Sequence, residues 1–209
     1  MSVMENERRS QVADQTRDFA PTARETLVLA SRSPRRAEIL RAVGWPFETE
    51  AADVDEALRG GESAAHYVER LAREKAQAVA ARRLFGLVLG ADTTVVVDGE
   101  ILAKPFDDAE ARSMLRRLRG RWHEVLTGVA LVRAETKRAI TAYERTRVRF
   151  APLTDAEIDW YISTNEPADK AGAYAAQGQG ALFIEAIEGD YWNVVGLPIR
   201  LVYKLSAEI

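Results

Sequence analysis

The stretch LVLASRSPRRAEIL, residues 27–40, decides the fold of this chain. Its first four residues are apolar, which is typical of a short buried strand. Ser33 then favours a helix N-cap, and Pro34 suits the first position of a helix. The apolar stripe that follows ends at Gly44, a residue type at which helices commonly stop. The stretch therefore predicts a strand, a tight loop and a helix in succession.

The rest of the chain continues this alternation of strands and helices. Ser63 predicts the start of a helix over about 64–82, Asp98-Gly99 predicts a tight hairpin, and Thr154 with Glu157 predicts a capping box. Further strands are predicted at 87–89, 94–97, 101–102, 124–132, 139–150 and 182–187, and further helices begin at Asp107 and at Pro198. A polar kink at 90–94 separates two of the strands. Because some strands join by hairpins, we expect an α/β fold with a mixed twisted sheet flanked by helices.

The composition excludes several classes of protein and of site. The chain has 209 residues, which suits one globular domain or two small ones sharing a cleft. Its 29 Lys and Arg against 32 Asp and Glu give a net charge of −3, which disfavours a general nucleic-acid binder. It has no apolar run of about 18 residues that could span a membrane. With no Cys and only two His, a thiolate nucleophile and a multi-His cage are excluded, so any metal would be a hard ion on oxygen ligands.

Residues 1–25 form a predicted flexible extension, and residues 26–209 the folded domain. The extension is rich in charges, has few large apolar residues and lacks the apolar segment of a signal peptide. Its acidic residues argue against a transit peptide, so we expect a cytoplasmic protein.

The loop at residues 31–36 predicts an anion site. Arg35 and Arg36 fall in the first turn of the helix, where the helix dipole disfavours cations. Two arginines, the hydroxyls of Ser31 and Ser33 and free backbone N–H groups at one helix start favour phosphate binding. The alternative is that both arginines point into solvent or pair with distant carboxylates.

Several other charged residues are candidates for the same site. Lys75 falls on the apolar stripe of its helix, so it either snorkels to the edge of the core or reaches a substrate anion. Asp92 interrupts a buried strand and must be paired, protonated or bound to a metal, unless it caps its own loop. Lys104 follows the hairpin and can return to the same edge. Together these residues suit a polyphosphate, a hard metal and an activated water.

Three more residues allow both a structural and a functional interpretation. Glu56 is either a metal ligand or part of a solvated acidic loop, and Gln177 either reads a base or belongs to a plain loop. His123, at a predicted strand start, is expected to be structural.

Eight short motifs, taken together and in order, resemble the Maf family of nucleoside triphosphate pyrophosphatases. The motifs are Ser31-Arg32-Ser33-Pro34-Arg35-Arg36, Arg73-Glu74-Lys75-Ala76, Gly90-Ala91-Asp92-Thr93, Lys104-Pro105, Thr127-Gly128-Val129, Asp169-Lys170-Ala171-Gly172-Ala173-Tyr174, Gln177-Gly178 and Val195-Gly196-Leu197-Pro198. The resemblance runs from about residue 27 to the C-terminus and implies an α/β fold with a deep cleft, related to the inosine triphosphate pyrophosphatases and often homodimeric. It also implies Mg²⁺- or Mn²⁺-dependent hydrolysis between the α- and β-phosphates, giving a nucleoside monophosphate and pyrophosphate.

The resemblance also implies a role for each matched residue. Asp92 matches the family's proton acceptor, Glu56 matches an acidic residue at the metal, and the metal is expected on Glu56, Asp92 and phosphate oxygens. The residues that match phosphate-handling positions are Ser31, Arg35, Arg36, Lys75 and Lys104. Arg35, Thr93 and Gln177 match specificity positions of the branch that acts on dTTP and UTP.

Other functions stay open at this point. The same chemistry on 7-methyl-GTP is one alternative, although that branch differs at the positions of Thr93 and Gln177. A nucleotidyltransferase is another, but its loop would be rich in glycine where this one holds Ser and Pro. A nucleotide-binding regulator of cell division without catalytic activity is the third. Modified pyrimidine nucleotides also remain candidate substrates.

Overall fold

A computed structural model describes Glu25 and residues 27–209. Its strands are β1 (Leu27–Leu29), β2 (Phe47–Thr49), β3 (Leu87–Val97), β4 (Glu100–Leu102), β5 (Trp122–Arg133), β6 (Ala139–Phe150) and β7 (Ile184–Glu188). Its α-helices are α1 (Pro34–Ala42), α2 (Ala64–Ala80), α3 (Asp108–Leu118), α4 (Asp155–Ser163), α5 (Tyr191–Val195) and α6 (Ile199–Ser206). Short 3₁₀ segments span Glu166–Asp169, Ala171–Ala173 and Gln179–Phe183. The extension predicted for 1–25 lies, apart from Glu25, outside the described residues.

The described strands form one mixed sheet in the order β2-β1-β3-β5-β6-β7, with β4 paired to β3. The pairs β1–β2 and β1–β3 are parallel, and the other pairs are antiparallel. No helix of the described residues is long and apolar enough to cross a membrane.

Helices cover both faces of the central strands, so those strands are apolar on both sides. On β1, Leu27 and Leu29 pack in a core with residues of α1 and α6, whereas Val28 packs in a second core with α2. The same alternation runs along β3, where Leu89 faces the first core and Val88 the second. This two-sided burial is the reason that the sequence shows continuous apolar runs here.

The structure confirms the α/β class and most of the predicted elements. Pro34 is the first residue of α1, and the Ser63 side chain accepts a hydrogen bond from the backbone N–H of His66 at the start of α2. Asp98 and Gly99 have positive φ angles of 53° and 79°, as a tight hairpin requires. The capping box of Thr154 and Glu157 is also present.

Two predictions about strands are wrong. The predicted kink at 90–94 does not exist, because β3 continues through it and pairs with β5 from Leu87 to Val96. The strand predicted at 182–187 begins only at Ile184, because the preceding residues form a 3₁₀ segment. Strand β2 and helix α5, which have only three and five residues, were not predicted.

Candidate active site

The main cleft lies where one edge of β3 has no neighbouring strand. On that edge, β1 pairs with residues 87–89 and β4 pairs with residues 95–97. No described strand covers residues 90–94 between them, and a cleft of about 660 Å³ opens there. The segment was predicted as a kink because Asp92, Thr93 and Thr94 are polar residues in an otherwise apolar strand. The loop after β1 brings Ser31, and the loop after β4 brings Lys104, to the two ends of the gap.

Asp92 and Thr93 point to opposite faces of the sheet, because successive residues of a strand do so. The Asp92 carboxylate meets Lys75 on α2, whereas the Thr93 hydroxyl meets Arg36 on α1. The close approach of α2 depends on Gly90, since a Cβ there would lie 2.1 Å from the backbone oxygen of Ala72. Asp92 and Thr93 therefore contact one helix on each face of the sheet.

Lys75 lies between two carboxylates at the floor of the cleft. Its Nζ is 2.6 Å from Oδ1 of Asp92 and 2.6 Å from Oε1 of Glu56. Lys75 and Asp92 are both only 8% exposed, whereas the Glu56 side chain is 48% exposed. The apolar stripe of α2 thus delivers a buried ammonium to the site. Of the two interpretations of Lys75, the one in which it enters the site matches this geometry.

The two carboxyl groups differ in their tendency to hold a proton. Burial raises the pKa of Asp92 above its ordinary value, while the charges of Lys75 and Arg36 act against this shift. Burial also opposes ionisation of Glu56, but the hydrogen bond and charge of Lys75, with the charges of Lys104 and Arg36, lower its pKa. Glu56 is therefore a stable anion, and Asp92 is the better proton acceptor.

Arg36 connects three separate segments of the chain at the site. It donates hydrogen bonds to the backbone oxygen of Gly196 at 2.8 Å, to Oγ of Ser31 at 3.1 Å and to Oγ1 of Thr93 at 3.1 Å. These bonds use three of the five N–H groups of a guanidinium. Arg36 is thus a structural connector as well as a cation that lines the cleft.

Three predicted residues line the cleft with their polar ends more accessible. The Arg35 side chain is 27% exposed and lies 3.6 Å from the carboxylate of Asp169, which is 66% exposed, so solvent weakens this ion pair. Lys104 and Gln177 are exposed and line the same cleft. Every residue singled out for the site therefore lines one cavity. The residues are Ser31, Arg35, Arg36, Glu56, Lys75, Asp92, Thr93, Lys104 and Gln177.

The carboxylate oxygens of the cleft fit a hard divalent cation that binds together with a phosphate-containing ligand. Oε1 of Glu56 and Oδ1 of Asp92 each lie 2.6 Å from Nζ of Lys75, so the two oxygens are at most twice that distance apart. No cluster of three or more His, Cys, Asp and Glu side chains suited to a metal occurs among the described residues. Mg²⁺ is commonly held by one or two carboxylates together with substrate phosphates, and this pair supplies the protein's share.

Two residues that support the site had no predicted role. Tyr67 on α2 lines the cleft and donates a hydrogen bond from its phenol to the backbone oxygen of Glu56 at 3.0 Å. Burial, followed by the charges of Asp92 and Glu56, raises the pKa of Tyr67 to about 12, so the phenol keeps its proton. Thr127 is fully buried beside Thr93, with 3.0 Å between the two hydroxyl oxygens. A Thr beside a Gly in an otherwise apolar strand was the available signal for Thr127.

The sequence comparisons agree with the motifs. A family model described as Maf-like protein matches residues 26–209. A dTTP/UTP pyrophosphatase of Symbiobacterium thermophilum is 57% identical over 184 residues, which are 88% of this chain and 94% of that protein. A protein of the same name from Hahella chejuensis is 54% identical over 84% of this chain and 88% of its own length. A third, from Bacillus cytotoxicus, is 52% identical over 86% of this chain and 93% of its own length.

The comparison of structures supports the fold alone. The Ham1 protein of Staphylococcus aureus superposes with a TM-score of 0.53 at 15% identity, over 88% of this chain and 100% of that one. Because the family model spans nearly the whole chain and relatives above 50% identity cover most of it, the chain belongs to the Maf family.

Proposed function

We propose that this protein hydrolyses dTTP and UTP to the nucleoside monophosphate and pyrophosphate. The observation that carries the proposal is the buried Asp92–Lys75 pair with the more exposed Glu56 beside it, at the open edge of β3 and with cations at both ends of the gap. The printed name shared by the curated relatives supports the choice of substrate. The chemistry requires a strongly cationic cleft, because a triphosphate brings several negative charges to one place.

The cations bind and orient the triphosphate. Arg35 and Lys104 approach the triphosphate from opposite ends of the gap, and the Ser31 hydroxyl donates a hydrogen bond to a phosphate oxygen. Arg36 offers its two remaining N–H groups while it holds Ser31 and Thr93 in place. Charge accumulates on the bridging oxygen as the bond between the α- and β-phosphates breaks, and these groups stabilise it.

Asp92 accepts the proton of the water that attacks the α-phosphorus. Its raised pKa brings it closer to the working pH, which favours proton transfer. Lys75 holds the Asp92 carboxylate in place through its 2.6 Å contact and limits the rise of its pKa. Mg²⁺ or Mn²⁺, held by Glu56, Asp92 and phosphate oxygens, would supply neutralisation of the triphosphate charge.

Base selection falls to Gln177, Thr93 and Arg35. The Gln177 amide offers a donor and an acceptor, which is the pattern needed to read the edge of a pyrimidine. Thr93 contributes through its bonds to Arg36 and Thr127 rather than as an isolated hydroxyl. Modified pyrimidine nucleotides would meet the same groups.

Other expectations, drawn from the composition and from the family resemblance, stay predictions. They are a cytoplasmic location, a homodimer, the absence of a nucleic-acid partner, and a division into the extension 1–25 and a domain 26–209 with two lobes around one cleft.

The first test is a substrate panel with separate assays for pyrophosphate and inorganic phosphate. We expect dTTP and UTP to give pyrophosphate and monophosphate, and CTP, GTP and 7-methyl-GTP to react poorly. Asp92→Asn should lower kcat by about 10²–10⁴-fold, the usual contribution of a general base. Turnover mainly of 7-methyl-GTP or CTP would contradict the base-selection roles. Nucleotide binding without turnover in the parent protein would favour the regulator instead.

A further inference from the structure

Two side chains that do not line the cleft form hydrogen bonds with the backbone of the loop that carries Gln177. The Tyr161 phenol, on α4, accepts a hydrogen bond from the backbone N–H of Ala175 at 3.1 Å and donates one to Glu166 at 2.7 Å. The Glu166 carboxylate accepts hydrogen bonds from the backbone N–H groups of Gln179 at 2.9 Å and of Gly180 at 3.0 Å. Anchored backbone positions therefore lie on both sides of Gln177.

The glycines of this loop give the two side chains the space they need. A Cβ at position 178 would lie 2.2 Å from an oxygen of the Glu166 carboxylate. A Cβ at position 180 would lie 2.7 Å from the Tyr161 phenol oxygen. Gly178 and Gly180 do not have the positive φ angles that would themselves call for glycine. The close approach of Glu166 therefore explains Gly178, whereas Gly180 is explained by Tyr161 together with the backbone oxygen of Ala175, which is also 2.7 Å away.

Three hydrogen bonds reach the two oxygens of the Glu166 carboxylate. Two backbone N–H groups and one phenol converge on it, and together with the charge of Lys170 they outweigh the cost of its partial burial and lower its pKa. Tyr161 is fully buried, and its ring packs edge-on against Phe183 with 5.1 Å between the ring centres. Both anchors are thus fixed by their own surroundings, as a rigid support requires.

Gln177 itself depends on this support. Its side chain is exposed in the cleft, and no hydrogen bond within residues 27–209 fixes its amide. The position of that amide is therefore set by the backbone on either side of it, which Tyr161 and Glu166 hold.

We infer that Tyr161 and Glu166 are positioning residues for base selection, which act by fixing the loop at residues 175–180 and thereby the Gln177 amide. The inference rests on the proposed function, in which Gln177 reads the pyrimidine. Neither residue lines the cleft in which the triphosphate would bind, so we expect the effect on discrimination between bases.

The test compares kcat/KM for UTP and for CTP in Tyr161→Phe, Glu166→Gln and Gly178→Ala. Phe removes the phenol and keeps the ring, Gln replaces one acceptor by a donor, and the new methyl group displaces the Glu166 carboxylate. Each variant should lower the UTP/CTP ratio by about tenfold, which corresponds to the loss of one hydrogen bond. KM for UTP should rise while kcat for UTP stays within about twofold of the parent value.

Two matched substitutions serve as controls. Tyr143→Phe changes an exposed tyrosine on β6, and Glu185→Gln changes an exposed glutamate on β7 that pairs with Arg149. Both should keep the parental ratio. A role of Tyr161 and Glu166 in stability alone would lower kcat/KM equally for UTP and CTP and leave the ratio unchanged.

A double variant separates this inference from the proposed function. If Tyr161 acts through Gln177, Gln177→Ala with Tyr161→Phe should be no less selective than Gln177→Ala alone. A parental ratio in the folded Tyr161→Phe and Gly178→Ala variants, together with a lowered ratio in Gln177→Ala, would overturn the inference and leave the proposed function intact. A parental ratio in Gln177→Ala would overturn the base-reading role of Gln177 and, with it, the inference. Should Glu166→Gln fail to fold, Tyr161→Phe and Gly178→Ala decide the question.

Discussion

Lys75 is the residue whose charge both carboxylates of the cleft require. Its Nζ lies 2.6 Å from Asp92 and from Glu56, and its charge lowers the pKa of each. Removal of a partner leaves buried charge uncompensated, which is costly and shifts the equilibrium towards the protonated acid.

Lys75→Met should therefore raise the pKa of Asp92 further. The acidic limb of the pH profile of kcat/KM should move to higher pH, and kcat at neutral pH should fall at least about 100-fold. Steady-state pyrophosphate release between pH 5 and 9 measures both effects. Lys204→Met, an exposed change on α6, is the matched control and should leave the profile unchanged. An unmoved acidic limb in Lys75→Met would contradict the coupling of Lys75 to Asp92.

His123 links stability to pH. It is 2% exposed, its Nε2 lies 2.8 Å from the Tyr174 phenol oxygen, and burial lowers its pKa to about 4. In the unfolded chain the imidazole binds a proton near pH 6.5, whereas the buried His123 stays neutral until about pH 4. Above pH 6.5 the imidazole is neutral in both states, so the folded protein keeps its full stability. As the pH falls from about 6.5 to about 4, the free energy of unfolding decreases by about 3 kcal/mol.

Urea unfolding at pH 7.5 and pH 4.5 tests this assignment. The parent protein should lose more stability between the two values than His123→Gln does, because the variant lacks the buried imidazole. His66→Gln changes an exposed histidine and should behave like the parent. Equal losses in the parent and in His123→Gln would show that His123 is protonated in the folded state without cost.

At the scale of elements, the site depends on how closely α2 packs on the sheet. A Cβ at Gly90 would lie 2.1 Å from the backbone oxygen of Ala72, and one at Gly128 would lie 2.2 Å from that of Val68. Both contacts involve helix backbone, which cannot move aside as a flexible side chain can. These two glycines therefore set the distance between Lys75 and Asp92.

Gly90→Ala and Gly128→Ala should each destabilise the protein by about 3 kcal/mol, at the upper end of the cost of overpacking. They should also lower turnover, since α2 carries Lys75. Gly60→Ala is the control, because a Cβ there meets nothing within 4 Å and the φ angle is not positive. Denaturant midpoints and pyrophosphate release report the two effects. Parental stability in Gly90→Ala would mean that α2 can shift at no cost.

Sequence patterns predicted most elements but not how the elements meet. The cap at Ser63, the turn at Asp98-Gly99 and the box at Thr154 are local signals, so they identified α2, the hairpin and α4. The short strand β2 and helix α5 have no periodic pattern, and tertiary contacts decide their conformation.

The candidate site could be predicted only in part for the same reason. The position of Lys75 on the apolar stripe of α2 followed from helical spacing, which left open whether it enters the site, and the polar interruption at Asp92 was visible in the strand. The bond from Arg36 to Gly196 joins residues 160 positions apart, and no local pattern reports it. The support of Gln177 by Glu166 was equally hidden, because it uses backbone N–H groups.

At the scale of the molecule, the cleft concentrates positive charge in a chain whose net charge is −3. The cations that line it are Arg32, Arg35, Arg36, Lys75, Lys104 and Lys170, and they outnumber the carboxylates that line it, which are Asp53, Glu56, Asp92 and Asp169. Such a cleft raises the local concentration of an anionic substrate. Lys75 also keeps Glu56 and Asp92 compensated when no other cation is bound.

Removal of divalent metal should therefore abolish turnover without destabilising the fold. We expect EDTA to suppress pyrophosphate release and to change the unfolding temperature by less than about 2 °C, which for this chain length is less than about 1 kcal/mol. Mg²⁺ or Mn²⁺ in excess should restore activity. A large fall in unfolding temperature would show instead that a metal is part of the folded structure.

The most direct measurement of the central claim is hydrolysis of UTP in water labelled with ¹⁸O. Attack of the Asp92-activated water at the α-phosphorus predicts one ¹⁸O atom in the product UMP and none in the pyrophosphate, as read by mass spectrometry. Label in the pyrophosphate would place the attack at the β-phosphorus and contradict the assigned geometry, and labelled inorganic phosphate as the first product would contradict the pyrophosphatase itself.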